Sequence, residues 1–151
     1  MPGHHIAQLN VGRLLAPIDD PLIAGFVERL DPVNAIADAA PGFVWRLQDD
    51  SGNATAIRPY EDATVAVNYS IWETVEDLWN FVYRSRHLEP LRLRRSWFET
   101  PREAHTVLFW IPAGERPPLS EAQARLEHLR RHGPTAQAFT FKERFPEPAL
   151  V

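Results

Sequence analysis

Apolar and polar residues alternate along five stretches of the chain and recur at helical spacing along three others. The clearest alternation is 64–72. There Val65, Val67, Tyr69 and Ile71 point to one side of a strand, and Ala66, Asn68, Ser70 and Trp72 point to the other. The first side is plain core. The second mixes small, polar and aromatic groups, as a wall of a ligand cavity does: Trp72 gives shape, and Asn68 and Ser70 offer hydrogen bonds. His5 to Leu15 repeats the pattern, with Ala7, Leu9 and Val11 opposite Ile6, Gln8 and Asn10, and so adds Asn10 to the candidate polar groups. After the central strand, Thr74 stands at an N-cap position with Asp77 three residues later. Val75, Leu78, Trp79 and Val82 follow on one helical face, so a strand feeds a helix through a tight turn.

The remaining segments fall around this unit. Asp20 followed by Pro21 is an N-cap with a proline at the first helical position, and Ile23, Phe26, Val27, Leu30 and Ala37 form a stripe. Pro32 predicts a kink or a split in that helix. Pro41-Gly42 ends it, and Phe43 to Gln48 reads as a short strand with Trp45 on one face and Arg46 on the other. In a cavity, Arg46 would anchor an anion or a carbonyl group. His105 to Pro112 is a further strand, with Val107, Phe109 and Ile111 opposite Leu108 and Trp110. Ser120 with Gln123 predicts a capping box ahead of Leu126 and Leu129, and Gly133-Pro134 stops that helix. Ala138 to Lys142 reads as a last short strand, and 146–151 as a flexible tail.

Composition narrows the function. The 151 residues are 44% hydrophobic and 24% charged, enough for one ordinary domain with a real core, placed at 4–145. There is no cysteine, which excludes disulfides, thiolate metal sites and cysteine nucleophiles together. A formal charge of −4 argues against a protein that coats nucleic acid. The start MPGHHIAQLN has no basic segment followed by an apolar one, and no run approaches the roughly 20 apolar residues of a membrane span, so a cytoplasmic protein is expected. His4 and His5 project to opposite faces of a strand and cannot chelate one ion together. His128 and His132 stand four apart with no third ligand, and the helix dipole explains histidines at a C-terminus, so no metal site is expected. Five arginines lie between Arg84 and Arg95, ahead of Trp97 and Phe98. They form either a solvated helix face or an electropositive rim suited to an acidic or phenolate-like ligand. The chain carries no G-x-S-x-G, P-loop or dinucleotide fingerprint, which disfavours hydrolase, kinase and dehydrogenase chemistry.

The order β, long α, β-β, α, β, followed by an extra C-terminal helix and strand, predicts an α+β protein. Its core would be a ferredoxin-like antiparallel sheet with helices on one face. The other face would still carry apolar residues and need a cover. Pairing with the sheet of a second copy provides one, so a homodimer is expected.

The segments HIAQLNVGR, PGFVWRLQDDSGNA, NYSIWETVEDLWNFVYRSRH, SWF, LFWIPAGERP and AFTF resemble the family known as domain of unknown function 3291, over nearly the whole chain. The resemblance implies the dimeric α+β barrel superfamily, which also holds antibiotic-biosynthesis monooxygenases and haem-degrading monooxygenases. The haem-degrading relatives use a strand-one Asn, a helical Trp and a His further along that helix, for which Asn10, Trp79 and His87 are the counterparts. The cofactor-free monooxygenases orient a phenolic substrate with Asn, Trp, Tyr and Arg groups, for which Asn68, Trp72, Tyr83 and Arg46 are the residue types at hand.

Three functions follow as expectations. The first is a cofactor-independent, monooxygenase-like enzyme acting on a small aromatic or polyketide-like molecule. In it His87, Arg46 and Tyr83 would carry the chemistry, with His87 or a neighbour as base and Asn68 with Arg46 holding an oxyanion. Substrate contacts would come from Asn10, Asn68, Ser70, Trp72, Trp79, Trp97 and Trp110. The second is a non-catalytic dimer that binds or senses a small organic acid in the same pocket. The third is a haem-binding protein.

Overall fold

The computed structural model describes residues 3–48, 64–84, 94–101 and 103–148. In chain order, β1 (His4–Arg13) leads through a 3-10 turn, Pro21–Ile23, into α1 (Ala24–Ala39). Strands β2 (Phe43–Arg46) and β3 (Val65–Trp72) follow, then α2 (Val75–Arg84), the short turn α3 (Arg94–Trp97), β4 (Thr106–Pro112) and α4 (Leu119–His132). The strands make one antiparallel sheet in the order β2-β3-β1-β4. The protein is thus a mixed α+β fold.

Two of the three expected helix starts form as their local signals predict. The Asp20 carboxylate accepts from Leu22 N at 2.9 Å, and Pro21 opens the turn. At α2, the Thr74 hydroxyl accepts from Asp77 N at 3.0 Å and donates to the Asp77 carboxylate at 2.9 Å. At α4, by contrast, Pro118 occupies the N-cap with no side-chain cap, so the Ser120–Gln123 capping box does not form. The proline ring fixes φ at −64°, and with ψ at 157° the chain enters the helix from an extended residue. Pro32 does not split α1, which runs through it as one helix.

Alternation along the strands is realised on both faces. Ala7, Leu9, Val11, Val67, Tyr69, Ile71, Val107, Phe109 and Ile111 form one apolar layer, covered by Ala122, Leu126 and Leu129 of α4. The face expected to be bare is therefore covered by the chain itself, and helices lie on both sides of the sheet rather than one. Tyr69 sits in this layer. Its hydroxyl donates to Pro117 O at 2.7 Å, and burial, with the nearby Glu121 carboxylate second, holds the phenol well above its ordinary range and hence neutral. On the opposite face Ile6, Trp72, Leu108 and Phe139 pack with Ala37, Val75 and Leu78. A third cluster of Leu14, Ile23 and Trp97, with Phe26 and Phe98 against it, closes the other end of that face.

The last strand expected from the sequence is reduced to a bridge. Leu108 and Phe139 exchange both backbone hydrogen bonds, at 2.8 and 2.9 Å, and pairing stops there. Thr135 to Ala138 closes a turn just before it, and the chain beyond packs by side chains instead. The half-buried Phe145 joins the Ile6–Trp72 cluster, its carbonyl accepts from Trp110 Nε1 at 3.0 Å, and the Glu147 carboxylate stands 3.4 Å from His4 Nδ1.

Gly42, between α1 and β2, has φ +79°, and a Cβ there would overlap the Asp77 carboxylate, which accepts from the Thr74 hydroxyl that caps α2. Gly114 has φ +92° with open space around it. Gly42→Ala should therefore cost more than Gly114→Ala. The backbone strain of roughly 1–2 kcal/mol is common to both, and Gly42→Ala adds the displaced cap at roughly 1 kcal/mol. Urea denaturation of the two variants reads the difference, and equal losses would contradict it.

A candidate functional cleft between the sheet and two helices

The even-numbered residues of β1, β3 and β4 build a floor in rows. Trp72, Ile6 and Trp110 are partners in register, then Ser70, Gln8 and Leu108, then Asn68, Asn10 and Thr106, then Ala66 and Gly12. The first row is bulky and apolar and the last is small. Polar groups crowd the rows between them. Among the described residues the only buried polar side chains are Gln8 and Ser70, and they are bonded to each other. Gln8 Nε2 donates to Ser70 Oγ at 2.7 Å and to Asn68 Oδ1 at 2.6 Å, while Trp72 Nε1 donates to the same Ser70 oxygen at 2.9 Å. Beside them Asn10 Nδ2 donates to Thr106 Oγ1 at 2.6 Å.

Above this floor α1 spans from one apolar cluster to the other. Ile23 and Phe26 dock it at the Trp97 end, Ala37 and Ala40 at the Trp72 end, and its middle stands off the polar rows. The space between is a cleft of about 510 Å³. Phe26, Leu30 and Val33 of α1 and Phe81 and Val82 of α2 wall it, and Gln8, Asn10, Asn68, Ser70 and Thr106 floor it. This is the combination expected of a small-molecule site: mostly apolar walls with a few convergent polar groups. With its carbonyl engaged by Gln8, Asn68 has its amide N–H groups left for a ligand, and Asn10, with its amide nitrogen on Thr106, has its carbonyl.

The candidate residues divide as follows. Asn10, Arg46, Asn68, Ser70, Tyr83 and Trp97 all line the cleft. Arg46 forms a two-pronged pair with Asp38, Nε to Oδ1 at 2.8 Å and Nη2 to Oδ2 at 3.2 Å, so its guanidinium is committed to α1. Tyr83 is exposed, with its ring 4.2 Å from that of Trp79. Trp72 lies under the lining: it is fully buried, stacked on Phe81 at 5.1 Å and edge-on to Phe43 at 5.4 Å. Trp79 packs on Phe141 and beneath the Arg144 guanidinium, and Trp110 is held by Phe145, both away from the lining. His87 lies outside the described residues, as do Arg86 and Arg92 of the arginine run. Of the Asn10, Trp79 and His87 set implied for haem, Asn10 lines the cleft, Trp79 does not, and His87 is outside the described residues. No three His, Asp or Glu side chains among the described residues are grouped to hold a metal ion, and the His128 ring is 3.1 Å from the Thr135 hydroxyl.

Gln8, Thr106, Arg29 and His105 line the cleft without having been singled out as site residues. For two of them the signal was present. Gln8 is two residues from Asn10 on the same strand face, and Thr106 faces Asn10 across the antiparallel pair. Arg29 lies on a helix, outside the strand pattern, and His105 heads the expected strand 105–112, one residue ahead of where β4 begins.

These features define a mixed α+β protein with a polar-floored cleft between its sheet and two helices. The chain belongs to the family described as domain of unknown function DUF3291, which matches residues 5–151. No curated protein is similar to it. Among solved structures it is similar to the crystal structure of NE2512, a protein of unknown function from Nitrosomonas europaea, at 8% identity over 78% of this chain and 98% of that one, with a TM-score of 0.47. No helix among the described residues is long and apolar enough to cross a membrane.

The Gln8–Ser70 bond is open to a double-mutant cycle. Gln8→Leu and Ser70→Ala, singly and together, should show a coupling of roughly 1 kcal/mol in urea denaturation, the net worth of a buried neutral hydrogen bond. Strict additivity would mean that the bond contributes nothing to stability.

Proposed function

We propose that the protein binds a small organic molecule in the cleft between the sheet and helices α1 and α2. The observation that carries this reading is the hydrogen-bonded floor of Gln8, Asn68 and Ser70 under an apolar roof that does not close on it. A core with no ligand to hold would fill such a volume with side chains, since interiors pack densely. The fold behind it is read as ferredoxin-like, on the strand order β2-β3-β1-β4 and the β-α-β-β-α-β succession.

An enzymatic reading draws on the same residues. Asn68 presents amide N–H groups where an enolate or phenolate oxygen would sit, and the His105 imidazole lines the same cleft as a candidate base. This favours the cofactor-independent, monooxygenase-like expectation over haem. Consumption of dissolved oxygen with a bound phenol or 1,3-diketone would separate a catalyst from a binding protein.

Binding itself is tested by filling the space. Val33 faces the cleft from α1, and Val33→Trp should occupy much of it while leaving both anchoring clusters intact. Titration with naphthalene-2-carboxamide should quench tryptophan fluorescence saturably in the unaltered protein, through Trp97 in the cleft wall, and not in the variant. Equal quenching in both would place binding elsewhere.

The expected sheet-to-sheet dimer rested on an uncovered face, and α4 covers that face. With α4 in place the chain should sediment at its own mass of 17.3 kDa at micromolar concentration. Twice that mass would mean that copies pair through another surface or that α4 gives way to a partner.

A further inference from the structure

One row of the cleft floor is a pair of side-chain amides. Asn10 of β1 and Asn68 of β3 are direct cross-strand partners, so their side chains rise next to each other from one face of the sheet, with Cβ atoms roughly 4.5–5.5 Å apart. Each is turned by a third residue. Gln8 Nε2 donates to the Asn68 carbonyl oxygen at 2.6 Å, and Asn10 Nδ2 donates to the Thr106 hydroxyl at 2.6 Å. Gln8 is fixed in turn by Ser70, and Ser70 by the Trp72 indole, so the row is anchored in buried groups. What remains is the N–H side of Asn68 and the carbonyl oxygen of Asn10, and among the described residues nothing takes either. A donor and an acceptor thus stand next to each other, oriented before any ligand arrives.

Charge is not the orienting element here. Arg46 is paired with Asp38, Arg29 is engaged by the Gly25 carbonyl and the Trp97 ring among its contacts, and Lys142 is exposed at the edge. A neutral group that carries an acceptor and a donor on one edge suits the asparagine pair. A primary carboxamide or a lactam does so, because its C=O and one N–H point the same way. In an open-chain secondary amide they point in opposite directions, since that bond is trans. An ester or a ketone meets only Asn68.

Building on the binding role proposed above, we propose that the ligand is a flat apolar molecule whose edge carries a primary carboxamide or a lactam. Its carbonyl accepts from Asn68, its N–H donates to the Asn10 carbonyl, and its apolar body lies against Val33, Phe81 and Val82 of the walls.

The test compares 2-quinolone with coumarin, which share a shape and a carbonyl and differ in whether a ring N–H or a ring oxygen stands beside it. Calorimetry on the unaltered protein should show 2-quinolone binding about tenfold or more tightly, because coumarin sets an acceptor against the Asn10 carbonyl and leaves it without a partner. Asn10→Ala should remove that preference by weakening 2-quinolone alone. The two compounds differ in hydration equally for both proteins, so that difference drops out. Asn10→Asp should keep the preference, since a carboxylate still accepts. Asn68→Asp leaves Gln8 an acceptor and should weaken both compounds by a similar factor, because it removes the donors from the carbonyl they share. Should Asn10→Ala not fold, Asn10→Thr removes the same carbonyl with a residue that suits a strand. Equal affinity of the two compounds for the unaltered protein overturns this inference and leaves the binding role standing. A preference that survives loss of the Asn10 carbonyl, or that Asn68→Asp abolishes, overturns the assignment of acceptor and donor. Binding that Val33→Trp leaves unchanged, or no binding of either compound up to millimolar concentration, overturns the binding role and this inference together.

Discussion

The side-chain amide of Gln8 keeps the centre of one sheet face from becoming ordinary core. It is buried, and it spends its two N–H groups on Asn68 and Ser70, whose partner Trp72 completes the set. Once these groups satisfy one another, the polar rows cost little to keep. They would cost much more under an apolar helix that also excluded water from Asn68 and Asn10. Helix α1 therefore cannot settle along its whole length on this face. It docks through Ile23 and Phe26 at one end and Ala37 and Ala40 at the other, and it buries far less of its apolar stripe than the sequence led one to expect: Leu30 and Val33 are half-buried and Val27 is exposed.

The two faces of the sheet are complementary in a physical sense. The face under α4 is continuous and dry, with Leu9, Ile71, Phe109 and Leu126 all buried to within 1% of complete. That layer supplies the packing that holds β1, β3 and β4 in register. The register then fixes where the other face's side chains stand. A site built on strands already locked from behind keeps its polar groups in place before any ligand arrives, which lowers the ordering cost of binding.

What the sequence revealed about the fold was mostly the alternation and the punctuation. The two mixed strand faces, the Asp20 and Thr74 caps and the Gly133 stop all rest on local rules, and the structure realises them. Asn10, Asn68 and Ser70 come together because period-two alternation and antiparallel pairing put them on one face. Non-local packing decided the remainder. Nothing local says that α4 would turn back onto the second face, or that Phe139 would pair at a single position and then leave the sheet. Trp72 and Asn68 share a face in the alternation, yet one is floor and the other is buried beneath Phe81, because helix α2 begins three residues past the strand and leans on its end.

Arg46 shows how pairing changes the meaning of a candidate residue. It follows Trp45 on the opposite face of β2, partners Ser70 across the strand pair, and lines the cleft. Its side chain is only 12% exposed, so an unpaired charge there would be costly, and Asp38 meets it with two hydrogen bonds from the last turns of α1. The pair ties the short edge strand to the helix that roofs the cleft. A guanidinium committed in this way holds the wall in place and offers a ligand little net charge, since much of its field is cancelled within a few ångströms.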